Sequence, residues 1–510
     1  MGTTFRNAIA AKRLAFIIKP GERRPMGVLT QASADAALFR CRSELGSGGS
    51  GSAASLLLLL LIEPHCGRAA ADPLRCSELR PTAAVARCRS AGPGVVATLE
   101  RRRAPGRAAR RARRVSVAGT HSSEGKLKSA MIRNFHVLYV GQIELDNIGL
   151  EGTPANERRY SSERLREVFA TARDVARTMD ALGYQVLWTA EHHFQREGYE
   201  CIPNLIQLGL WLATETQRLK FGCAFNVLPM WHPIRLAEDY AMADIVTGGR
   251  VVMGVGRGYH TREVESFGAP LLDAEANRAY FEEGLQLLLK CFNEDSFHFK
   301  GKYFEVPPPV DYRGYRLKEI TVIPRPKHLP VEIWMPIASG KTIEMMAKYG
   351  LKAMVTLNGE KILDDVVRQY HDACARHGRA KKLGEDVIWG AGVYLAESEE
   401  EAMRRLEPAH DERYKWFAPF GFVRYADEQG RSWGMPGAPA RMPTLADGVQ
   451  QKAWFCGPPS RVIEGIKSIA DKYPGLEHFM IHWAEGIPPK EFKEQLRWFA
   501  KDVMPALRKS

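Results

Sequence analysis

Val186-Leu-Trp-Thr-Ala-Glu-His-His-Phe194 is the stretch on which the reading of the fold turns. An apolar run stops abruptly at a carboxylate, two imidazoles and an aromatic ring. A continuous apolar run is the mark of a parallel strand covered on both faces. In barrel enzymes the chemistry collects where such strands end. The stretch therefore predicts a buried strand over 185–190 that delivers Glu191, His192 and His193 to a rim. Adjacent residues of an extended chain point to opposite sides, so the two histidines are not expected to share one task.

Working outward, the same texture repeats. Strands are predicted at 135–140, 219–226, 251–255, 331–335, 352–356, 387–395 and 477–483. Ser161 or Ser162 is a capping residue for a helix whose apolar positions, from Leu165 to Leu182, recur at helical spacing, and Gly183 suits its end. Further helices are expected at 203–214, 234–246, 274–291, 341–349, 361–376, 399–406, 460–472 and 490–507. Eight strands alternating with helices favour a closed (β/α)8 TIM barrel. Two stretches interrupt it: 297–330, rich in Pro and aromatics, reads as an excursion of extended segments, and 407–453 as an irregular insertion or lid. Gly254-Val-Gly-Arg-Gly258 follows a strand, but it lacks the third glycine and the short path into a helix that a dinucleotide fingerprint needs.

Composition splits the chain at about residue 130. Residues 1–130 hold 23 of the 72 Lys/Arg but only 8 of the 59 Asp/Glu, so the overall charge of +13 belongs to this segment and the rest is nearly neutral. The basic balance is thus no sign of a nucleic-acid partner for 131–510. The apolar run 56–62 is far shorter than the ~20 residues of a membrane span. Ala, Arg, Gly and Ser dominate the segment. It reads as a disordered stretch by composition or as an over-extended start ahead of Met131, with an organellar transit peptide as a further reading. Residues 131–510 form the expected barrel domain. The cysteines show no metal-ligand spacing and no disulfide framework, which suggests a cytoplasmic setting.

Glu191-His192-His193 has three readings: a metal site, rim histidines satisfied by neighbours, and a general base or proton shuttle. HExxH is absent, and imidazole titrates near neutrality. Farther on, Arg257 sits among glycines after a strand, and Ala338-Ser-Gly-Lys-Thr342 opens a helix whose N–H groups suit an anion. Together they point to a phosphorylated cofactor, although a plain N-cap would also explain Ser339 or Thr342.

Three motifs now combine: Trp188-Thr-Ala-Glu-His-His-Phe194, Leu228-Pro-Met-Trp-His-Pro-Ile-Arg-Leu-Ala-Glu-Asp239 and Gly248-Gly-Arg-Val-Val-Met-Gly-Val-Gly-Arg-Gly-Tyr259. In order and spacing they resemble the bacterial luciferase-like, flavin-dependent monooxygenases, over roughly 131–505. The resemblance implies a barrel that binds reduced FMN, activates O2 as a flavin C4a-peroxide and oxidises a small organic substrate. It also implies a separate flavin reductase, a homodimer, and neither nucleic acid nor membrane as partner. By position, His192 matches the catalytic histidine, and Glu191 a carboxylate near the flavin. Ala224–Phe225 matches a non-proline cis peptide under the ring. Arg257, Arg278, Ser339, Gly340 and Thr342 match the phosphate site, and Tyr259 lies near the ring. Two departures stand out: Gly256 replaces a reactive cysteine of the luciferase α chain, and Ala338 replaces a Glu beside the phosphate loop. The rival readings are an F420-dependent hydride-transfer enzyme on the same barrel, a non-catalytic partner subunit, and a metal-dependent barrel hydrolase.

Overall fold

The computed structural model describes residues 132–337, 340–426 and 442–508. The expectations for 1–130, Ala338 and Ser339 lie outside these residues. Eight parallel strands form the barrel: β1 Asn134–Tyr139, β2 Val186–Thr189, β3 Lys220–Cys223, β4 Val251–Gly256, β5 Ile333–Pro336, β6 Lys352–Thr356, β7 Val387–Leu395 and β8 His478–His482. Each pairs with its successor, and β8 pairs with β1 through Asn134↔His478, which closes the ring. The predicted (β/α)8 TIM barrel is the observed fold.

Alternation along the strands separates two cores. Val186, Trp188, Met354, Ile388 and Met480 pack together with Trp334 and Ala224, whereas Leu187, Ala353, Val355, Trp389 and Phe479 belong to the larger cluster under the helices. The smaller set is the filling of the barrel. Trp188 needs Gly222 beside it, because a Cβ there would lie 2.2 Å from the indole.

The surrounding helices are α1 Glu167–Leu182, α2 Leu205–Thr214, α3 Pro233–Thr247, α4 Ala274–Asn293, α5 Gly340–Tyr349, α6 Glu360–Arg376, α7 Glu399–Phe417, α8 Pro459–Ala470 and α9 Pro489–Trp498. Ser161 caps a first turn, Ser162–Leu165, that steps at Arg166 into α1, and Gly183 ends α1 with φ 79 in the left-handed region. Phe169, one of the apolar positions at helical spacing, is exposed. The 297–330 excursion consists of two small antiparallel hairpins, Phe299–Lys300 with Glu305–Val306 and Asp311–Tyr312 with Tyr315–Arg316.

The region 407–453 departs from expectation. α7 does not stop near 406; it continues through Pro408 to Phe417. A short helix follows at Leu445–Gln450, and Trp454–Gly457 is a strand on the far end of β7. The physical reason lies in what α7 carries. An interior proline costs a helix ~3 kcal/mol, and here buried contacts from Glu412, Arg413 and Trp416 offset it. Among the described residues no helix is long and apolar enough to cross a membrane.

Candidate active site at the barrel mouth

A cavity of about 460 Å³ opens at the C-terminal ends of the strands. Glu191 and His192 follow β2, Ala224 and Phe225 follow β3, Arg257 and Tyr259 follow β4, Thr342 lies in α5, and Phe417, Phe422 and Arg424 come from α7 and the segment after it. The two adjacent histidines do point apart. His193 meets Glu191 and packs edge-on against Phe267, while His192 faces the cavity.

His192 is buried between two carboxylates. Its Nδ1 lies 3.2 Å from Glu263, and its Nε2 lies 3.1 Å from both Glu200 and the Tyr259 hydroxyl. Tyr259 donates to Glu200 at 2.6 Å. The other Glu200 oxygen lies 3.0 Å from His260 Nε2 and accepts from Trp416 Nε1 at 3.1 Å. Burial alone would lower the pKa of His192; the adjacent Glu200 and Glu263 outweigh it and hold the imidazole above its ordinary 6.5. Burial pushes Glu263 and Glu200 upward, but the imidazoles beside them win and keep both carboxyls below the usual range. For Tyr259, burial and then Glu200 push the phenol well up.

These partners were not among the sequence-derived candidates. Glu200 lies in the irregular segment after β2 and Glu263 in a short helical turn after β4, where no periodicity singles out one acid from its neighbours. The donor atoms of His192, Glu200 and His260 lie within 4.8 Å of one another, a spacing that a cation would tolerate. The Glu200 oxygens, however, already meet Tyr259, His192, His260 and Trp416, so a hydrogen-bonded array accounts for the cluster.

Glu191 is differently employed. It accepts from the Val227 N–H at 2.7 Å and from Trp231 Nε1 at 2.9 Å, clasping the loop that follows β3. At the start of that loop the Ala224–Phe225 peptide is cis, and both residues line the cavity.

A second pole lies after β4. Arg257 donates to Asn277 at 3.2 Å. Burial, then the neighbouring Arg278 guanidinium, lower the pKa of Arg257. Arg278 Nε and Nη1 are buried without a hydrogen-bond partner among the described residues. Gly340 begins α5, and Thr342 is buried in its first turn. Two close guanidiniums repel, so a ligand anion between them would be stabilised.

The family model described as Luciferase-like monooxygenase matches residues 150–473. The chain is 24% identical to the flavin-dependent trigonelline monooxygenase, oxygenase component, of Acinetobacter baylyi, over 69% of this chain and 94% of that protein. It is 23% identical to the 4-hydroxyprotoasukamycin monooxygenase of Streptomyces nodosus subsp. asukaensis, over 65% and 85%. With the protein y4vJ of Sinorhizobium fredii it shares 33% identity over 34% of this chain, which spans less than half, 45%, of that relative. The fold matches the oxygenating constituent of 3,6-diketocamphane monooxygenase from Pseudomonas putida, solved with FMN, at a TM-score of 0.57 and 19% identity over 74% and 98% of the two chains. The chain belongs to the luciferase-like monooxygenase family.

Proposed function

We propose that the chain is the oxygenase of a two-component flavin system, taking reduced FMN from a separate reductase and using O2 to oxidise a small organic substrate. The observation that carries this reading is the pairing of two poles at the barrel mouth: the adjacent guanidiniums of Arg257 and Arg278, the latter with Nε and Nη1 unpartnered among the described residues, and the buried His192 array. The name of the Acinetobacter relative, an oxygenase component, and the FMN held by the Pseudomonas structure support it.

The site fits a flavin phosphate. Arg257, Arg278 and the first turn of α5, with Gly340 and Thr342, would hold the phosphate, and Ser339 is proposed to join them. Ala224, Phe225 and Tyr259 would bound the ring. Reduced flavin would supply the two electrons with which one atom of O2 enters the substrate and the other leaves as water. The protein's own work is in the remaining groups. His192 holds or moves a proton at Nε2, facing the cavity; Glu263 fixes the imidazole from Nδ1; Glu200 and Tyr259 share its proton network. Glu191 acts by positioning, since it secures the loop carrying Phe225 and Trp231. The aromatic segment after α7 shields the mouth from water.

The test is phosphate-specific. Arg257→Ala and Arg278→Ala are each expected to weaken FMN binding by about tenfold or more, while riboflavin, which lacks the phosphate, binds as it does to the unaltered chain. An equal loss for FMN and riboflavin, or no loss for either, would remove the phosphate assignment.

A further inference from the structure

Among the described residues three arginines reach the cavity wall: Arg257, Arg413 and Arg424. Arg257 belongs to the pole just described. Arg413 is engaged, with Nη1 3.1 Å from Glu485 and donating to the Trp483 carbonyl at 3.2 Å. Arg424 differs from both. Its guanidinium forms no hydrogen bond or ion pair among the described residues; its Nε, like that of Arg413, is buried without a partner, but Arg413 has other such partners there and Arg424 has none. Burial lowers its pKa.

The backbone around Arg424 is nevertheless held firmly. Its N–H donates to Asn358 Oδ1 at 2.8 Å, and its carbonyl accepts from the Gly359 N–H at 2.9 Å. Two residues on, Ala426 exchanges hydrogen bonds with the Gln451 side chain at 2.7–2.8 Å. The preceding Val423 takes φ 60, a conformation that β-branched residues rarely adopt. A cation set on a fixed backbone and left unpaired is a charge waiting for a ligand.

Its place separates it from the phosphate pole. Arg257 follows β4, whereas Arg424 is anchored to Asn358 just past β6, two strands farther round the ring. Around it the wall is apolar and aromatic. Phe422 packs edge-on to Tyr259 with ring centroids 4.8 Å apart, and Met354 and Leu357 line the same cavity. We infer that the substrate is an apolar or aromatic monocarboxylate whose carboxylate pairs with Arg424 while its body lies against the Phe422–Tyr259 wall. Calling the ligand a substrate rests on the oxygenase reading; the anion site itself does not.

The test is isothermal titration of the full chain, with and without FMN, using benzoate and decanoate, each against its neutral amide. The acids should bind more tightly than the amides. Arg424→Ala should weaken the acids by about tenfold or more, leave the amides unchanged and leave FMN affinity within about twofold; Arg424→Lys should restore part of the preference. No acid preference for either pair, or a preference that survives Arg424→Ala, overturns the inference. A loss of FMN affinity in Arg424→Ala also overturns it, by assigning the residue to the cofactor. If the unaltered chain keeps the acid preference but binds no FMN, the anion site stands and the oxygenase reading falls.

Discussion

His192 is the residue on which the electrostatics of the mouth converge. Its pKa, held above 6.5 by Glu200 and Glu263 against the pull of burial, has a defined consequence for stability. The contribution of the imidazole is full below pH 6.5 and is lost as pH rises through the raised value. Glu200 and Glu263 act in the opposite direction. Their contribution is present above the usual carboxylate range and is lost as pH falls through their lowered values. Glu263→Gln removes one of the two supporting charges, so the His192 midpoint, followed by NMR of the chain labelled at histidine, is expected to move down towards 6.5 or below it. An unchanged midpoint would mean that Glu263 does not govern the imidazole. His192 was legible in the sequence because an apolar strand delivers it at a break in polarity. Its partners were not, because Glu200 and Glu263 reach it from connecting segments 8 and 71 positions away, where proximity is a product of tertiary folding. Glu191 shows the opposite case. It was easy to see beside His192, yet its oxygens are engaged by Val227, Trp231 and His193.

At the level of elements, α7 decides how the mouth is roofed. Pro408 made its second half look irregular, since proline removes a helix hydrogen bond and clashes with the preceding turn. The helix persists because its last two turns are tied down. Glu412 pairs with Arg158 at 3.0 Å, both nearly fully buried, and accepts from the Tyr199 hydroxyl; Trp416 stacks on Tyr199 at 4.3 Å. Arg158 also reaches the carbonyls of Asp146 and Asn147, so one guanidinium joins α7 to the loop after β1. Breaking a buried pair costs about 3–5 kcal/mol where a charge is left alone; here Lys415, 2.7 Å from Glu412, still faces the carboxylate, so the loss is expected below that range. Arg158→Met is therefore expected to lower the midpoint of chemical denaturation and to loosen the mouth, read as faster proteolysis near Phe417. A midpoint equal to that of the unaltered chain would contradict the role given to this pair. The strand Trp454–Gly457 escaped notice for a related reason: its register comes from the overhanging end of β7, which no local pattern announces.

For the molecule as a whole, the barrel was legible because its strands are short apolar runs at regular intervals, from Phe135 to His482, with helical periodicity between most of them. The closed ring then brings together what the chain keeps far apart: His192 after β2, Arg257 after β4, Thr342 after β5 and Arg424 beyond α7. That convergence brings together the proposed phosphate pole, the His192 array proposed to handle protons, and Arg424, a cation unpaired among the described residues. Which flavin the phosphate pole takes is the central claim, and an anaerobic titration of the full chain with reduced FMN and reduced F420, followed by mixing with O2, tests it most directly. Tight binding of reduced FMN, weak binding of F420 and reoxidation of the bound flavin on mixing with O2 are expected. Tight binding of F420 with no reaction towards O2 and no affinity for FMN would contradict the account.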